Sequence, residues 1–119
     1  MGLFDKVKKG DNSGSIYATV TSKEKIDELV EAGELKPVYL MPVIFNGQES
    51  EKNTIYVPSS IAIIKDKSDY MIEELLMNNI VNNYVCKPSY SGESRVPTTL
   101  EITGLKSGNV VITQKVNVW

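Results

Sequence analysis

The chain has 119 residues, 41% hydrophobic and 24% charged, with a formal net charge of −2 from 13 basic and 15 acidic side chains. This is the composition of one globular domain spanning 1–119, and its charge balance offers no concentrated basic face for neutralising phosphates, so nucleic acid is not an expected partner. Histidine is absent, which excludes Ser-His-Asp and Cys-His catalysis, His-ligated metals and histidine proton shuttles.

In chain order, residues 2–9 place Leu3, Phe4 and Val7 on one face of two helical turns, a length that is helical only when docked. With the polar turn at 10–15, this makes 1–15 a mobile or docked N-terminal segment. The β-branched and aromatic residues at 16–20 predict a short strand. Thr21 and Glu24 have capping-box spacing and open a predicted helix over 22–32. Its apolar stripe is Ile26, Leu29 and Val30, and Gly33 is its stop. The unbroken apolar run at 38–45 predicts a strand covered on both faces, with Pro42 at an edge or bulge. Asn46-Gly47 marks a turn in a polar loop over 46–53.

A strand is predicted at 54–57. Pro58-Ser59-Ser60 interrupts it, and it resumes at 61–64. A second helix is predicted over 68–81, with Ile72, Leu75, Leu76 and Ile80 as its buried stripe and Asn82 or Asn83 as its left-handed stop. A strand stub at 84–87 leads to a loop over 88–97. Leu100 and Ile102 then alternate with polar residues, a turn falls at 106–109, and Val110, Ile112, Val116 and Val118 alternate on the return. Gln114 breaks that parity, marking a bulge or a polar contact. The expected fold is α+β: a mainly antiparallel sheet, two amphipathic helices packed on one face, and a C-terminal β-hairpin.

No pattern rises to a catalytic or metal signature, and no cofactor is implied. Ser22 and Lys25 have S-x-x-K spacing, but helix capping accounts for Ser22. Cys86, the single cysteine, cannot form an internal disulfide, has no histidine to activate it, and reads as a half-buried structural residue. The pairs Glu28/Glu31 and Glu73/Glu74 read as solvated helix surface. Asp11-Asn12-Ser13-Gly14 lacks the spaced carboxylates of a calcium loop. No run approaches the roughly 18 apolar residues of a membrane span. Asp5, Lys6, Lys8 and Lys9 interrupt any signal-peptide core, and the expected location is cytoplasmic.

The best binding candidate is the 88–97 loop, carrying Tyr90, Ser91, Glu93 and Arg95. Tyrosine offers a flat face with a hydroxyl, arginine a bidentate anion grip, and loops on rigid scaffolds are where binding sits. The leading expectation is a non-enzymatic protein–protein binding or adaptor module, whose partner is another protein or a second copy in a homodimer. The alternative is a small-ligand-binding regulatory domain using that loop. A histidine-free enzyme working through carboxylates, tyrosine and lysine is the third.

Overall fold

The computed structural model describes residues 16–119, so the reading of 1–15 as a mobile or docked segment lies outside the described residues. The elements are helix α1 (Lys23–Glu31), strand β1 (Leu35–Tyr39), two short 3-10 turns (Val43–Phe45 and Glu51–Asn53), strand β2 (Thr54–Pro58), helix α2 (Ser59–Met77), and strands β3 (Asn83–Ser89), β4 (Thr99–Lys106) and β5 (Asn109–Asn117). The α+β class stands, with all pairing antiparallel. The strands divide into two sheets, β1–β2 and β3–β4–β5. Helix α2 packs against both. One core cluster joins the layers, from Ile26 and Leu35 through Val57, Ile61 and Ile72 to Tyr84, Leu100 and Ile102.

Helix α1 forms where its stripe predicts, with Ile26 buried and Leu29 and Val30 packed partly against the core. Its cap is Ser22 rather than Thr21, for the Ser22 Oγ accepts the Lys25 amide at 3.2 Å. Gly33 adopts φ 80°. The amides of Gly33 and Glu34 donate to Val30 and Leu29, closing the helix with a Schellman turn. The strand expected at 16–20 is absent. Residues 16–18 are helical, and the Thr19 amide and hydroxyl both return to the Ile16 carbonyl. That local bonding overrides the β propensity of the segment.

Strand β1 begins earlier and ends sooner than the apolar run at 38–45 suggests. After Tyr39 the chain turns, and Val43–Phe45 forms a 3-10 turn with Pro42 at its N-cap and Asn46 closing it at φ 73°. The Asn53 side chain extends the ladder, accepting from the Met41 amide and donating to the Met41 carbonyl, both at 2.9 Å. Ser59 donates to Glu34 and Leu40 to Asn53, which fixes the hydrogen-bonded positions of β1 as 34, 36, 38 and 40. The pairs Leu35↔Pro58 and Pro37↔Tyr56 are therefore the non-bonded ones. Neither proline breaks the ladder, and Pro37 turns its missing donor to the edge that no described strand covers.

The largest departure is α2. The strand expected at 61–64 and the helix expected over 68–81 are one helix from Ser59 to Met77, with Pro58 at its N-cap. A proline costs nothing at a helix start, where no intrahelical acceptor is lost. The buried stripe is Ile61, Lys65, Ser68 and Ile72. Leu75 and Leu76 are half-buried. Ile80 lies beyond the helix end and is 47% exposed. The left-handed stop is Asn79, at φ 63°, and Ile80 and Asn79 donate to Leu75 and Leu76, a second Schellman closure.

The C-terminal hairpin forms as read. Ser107 and Gly108 both take positive φ, as a two-residue type I′ turn requires. A register shift at Gly104/Leu105 leaves Val111 as the extra residue, so the expected parity fails beyond it and Val110 is exposed. Gln114 faces Ile102 across the sheet, and its Oε1 is buried without a hydrogen-bond partner among the described residues. It does not mark the bulge, and its Oε1 makes no polar contact among the described residues.

Candidate functional site

Three faces of α2 follow from its 3.6-residue period. Ile61, Lys65, Ser68 and Ile72 point into the core. Roughly a quarter-turn round, Ala62, Asp66, Asp69 and Glu73 line a cleft of about 800 Å³. On the side away from the core lie Ile63, Lys67, Tyr70, Glu74 and Met77, all exposed. The opposite wall of the cleft is β1, through Lys36, Pro37, Val38 and Tyr39, and Pro42, Val43, Glu49 and Glu51 close its end.

Lys65 forms the floor. It is 1% exposed, and its Nζ lies 2.6 Å from Asp69 Oδ2, one helical turn on, where the carboxylate is 14% exposed. The Nζ also donates to Tyr84 Oη at 3.2 Å and lies 3.5 Å from the Leu40 carbonyl. The Tyr84 hydroxyl donates to the other Asp69 oxygen. Tyr84 arrives from β3 fully buried, and its ring packs on Phe45 with centroids 5.2 Å apart. The 3-10 turn, the edge of β3 and the middle of α2 thus meet at one polar knot, in which ammonium, carboxylate and phenol satisfy each other.

Burial lifts the Asp69 carboxyl above its ordinary value, with Lys65 and Tyr84 pulling the other way. Burial also raises Tyr84, helped by its hydrogen bond to Asp69. It pushes the Cys86 thiol up to about 11. Both groups hold their protons at neutral pH, so neither serves there as nucleophile or general base. Glu73 is raised by burial first, then by Asp69 and Asp66. It is a half-buried carboxylate on the cleft rim, whereas Glu74 is exposed. The reading of both as solvated surface holds only for Glu74.

The Cys86 shift has a stability consequence. The folded chain keeps its thiol proton to about pH 11, whereas the ordinary value is 9.0. Between these values the unfolded state binds fewer protons, so stability falls as pH rises. By pH 11 the loss from this group is about 2 kcal/mol, and Tyr84 adds a loss of the same sign. In urea unfolding at pH 8 and pH 11, Cys86→Ala is expected to lose about 2 kcal/mol less than the parent over that interval. Equal losses would show that the thiol is solvated.

Five carboxylates (Glu49, Glu51, Asp66, Asp69, Glu73) and two lysines (Lys36, Lys65) line the cleft. With Lys65 and Asp69 engaged with each other, four carboxylates and one lysine face the opening. Among the described residues no three Asp, Glu, Cys or His side chains converge to hold a metal ion. The apolar surface is Pro37, Val38, Val43, Ala62 and Ile63.

The loop residues singled out from sequence lie elsewhere. Tyr90, Ser91, Glu93 and Arg95 are all exposed, and none lines this cleft. The loop itself is anchored. Ser94 is buried, with its Oγ donating to the Tyr17 carbonyl at 2.7 Å and accepting from the Val96 amide at 3.1 Å. The Arg95 amide donates to Val20, and the Trp119 indole to Val96. Sequence reading missed Lys65, Asp69 and Tyr84; its only signal was the i, i+4 pair of Lys65 and Asp69.

Comparison with known protein families, curated proteins and solved structures finds no match to this chain. Among the described residues no helix is long and apolar enough to cross a membrane.

Proposed function

We propose that this protein is a non-enzymatic binding module whose cleft between β1 and α2 receives a basic, partly apolar segment of a partner protein. One observation carries the reading: four carboxylates, Glu49, Glu51, Asp66 and Glu73, surround apolar surface from Val38, Val43 and Ile63, with Lys36 the one opposing lysine not engaged with Asp69. Such a surface attracts Lys and Arg heads and accommodates their alkyl stems or a neighbouring apolar side chain. The knot beneath it gives the cleft a rigid floor, which lowers the ordering cost of binding. A reducing cytoplasm suits the lone cysteine.

The test is titration of the full chain with a short peptide of alternating lysine and leucine, and with its glutamate counterpart, followed by NMR. The basic peptide is expected to shift resonances of Val38, Val43, Asp66 and Glu73, and to bind more weakly as salt rises. Asp66→Asn with Glu73→Gln is expected to weaken it about tenfold. Equal binding of the acidic peptide would refute the reading. Shifts confined to Tyr90, Ser91, Glu93 and Arg95 would transfer it to the anchored loop, the small-ligand alternative.

A further inference from the structure

The cleft between β1 and α2 has a matching sequence in its own chain, and the match rests on the reading of that cleft as a receiver of basic, partly apolar segments. Residues 1–15 stand ahead of the described part of the chain. Within them Leu3, Phe4 and Val7 are interleaved with Lys6, Lys8 and Lys9, against one acid among residues 2–9, Asp5. Nowhere else in the sequence do three basic residues fall within nine positions. The cleft offers the converse, with Glu49, Glu51, Asp66 and Glu73 around Val38, Val43 and Ile63. Val43 is 58% exposed and Ile63 59% among the described residues. Opposite charge draws such a segment to the cleft, and lysine stems and a phenyl ring cover these apolar walls.

The segment is attached close by. Ser94 holds the Tyr17 carbonyl. Burial, and then the Glu34 carboxylate, raise the Tyr17 phenol, which places that ring near Glu34. Glu34 precedes β1, and Lys36, two residues on, lines the cleft. The six residues at 10–15, Gly-Asp-Asn-Ser-Gly-Ser, can span about 20 Å when extended. A tether this short presents residues 3–9 to the cleft at an effective concentration in the millimolar range, far above that of a second copy in solution. We infer that residues 3–9 of the same chain occupy the cleft, and that a partner's basic segment binds by displacing them.

The test titrates the full chain and two variants with the lysine–leucine peptide. Lys6→Gln combined with Lys8→Gln and Lys9→Gln is expected to bind the peptide about tenfold more tightly than the parent, because the tethered competitor is weakened. Phe4→Ser leaves the charge unchanged, so it separates competition from long-range attraction, and is expected to tighten binding at least threefold. In a mixture of isotope-labelled and unlabelled chains, nuclear Overhauser contacts from the Phe4 ring to the Val38 and Val43 methyls are expected within one chain. Phe4→Ser should abolish them, while those of Phe45, the other phenylalanine, persist. Equal affinity in the parent and both variants overturns the inference and leaves the reading of the cleft standing. Contacts that run between chains place a second copy in the cleft and also overturn it. A peptide that binds none of the three overturns both.

Discussion

Lys65→Met is expected to lower the unfolding free energy by about 3–5 kcal/mol, the cost of leaving a buried charge without its partner. Asp69 would keep only the Tyr84 hydroxyl, and its carboxylate has little access to water that could replace the ammonium. The deficit in urea unfolding should narrow in acid, where a protonated Asp69 is neutral. Converting the whole knot to apolar groups of similar size, Lys65→Met with Asp69→Leu and Tyr84→Phe, removes every charge and donor together. That variant should recover most of the loss, because a buried pair and a packed apolar cluster are close in stability. It should also lose the rigid floor of the cleft. A loss below about 1 kcal/mol in the single variant would mean that the pair is solvated like a surface ion pair.

Gly47→Ala should be nearly as damaging for a different reason. A Cβ on Gly47 would stand 1.8 Å from the Met41 carbonyl oxygen, 2.6 Å from its carbon and 2.9 Å from the Pro42 oxygen. These are backbone atoms that cannot rotate away, and the Gly47 amide is bound to the Pro42 carbonyl. The turn must open, with an expected loss of about 3 kcal/mol or more. Gly33→Ala is the control. Its Cβ meets nothing within 4 Å, but φ is 80°, so only backbone strain of about 1–2 kcal/mol is expected. Thermal unfolding of both variants distinguishes a clash from strain. Because Phe45 in the same turn packs on Tyr84, Gly47→Ala should also weaken binding in the cleft, which Gly33→Ala should leave intact.

Much of the fold was legible because local signals agree. Helix α1 has a capping serine, a three-residue stripe and a closing glycine within twelve positions. The hairpin has alternation on both arms and Ser107-Gly108 between them. Helix α2 was misread because its first turns, Ile61-Ala62-Ile63-Ile64, are apolar and largely β-branched, which resembles a buried strand. Lys65 then breaks the apolar period. Counted as a core residue it restores the spacing 61, 65, 68, 72, but only the burial of its partners justifies that count. The site was less legible still. Lys65 and Asp69 sit one turn apart, whereas Tyr84 reaches them from another sheet, and Glu49 and Glu51 reach the cleft through a turn fixed by Asn53. The loop at 88–97 stood out for its residue types, and neither its anchoring through Ser94 nor the distant cleft could be read locally.

Pro37 bears on how anything can attach to this protein. A foreign strand laid along the flank of β1 that no described strand covers would find no amide hydrogen midway, and a pyrrolidine ring in its place. Templated growth of the sheet, the first step toward fibrils, is blocked there. A visitor to the neighbouring cleft would lack one backbone partner at Pro37, which shifts the weight of its recognition toward side chains and makes its sequence matter more than its extended shape.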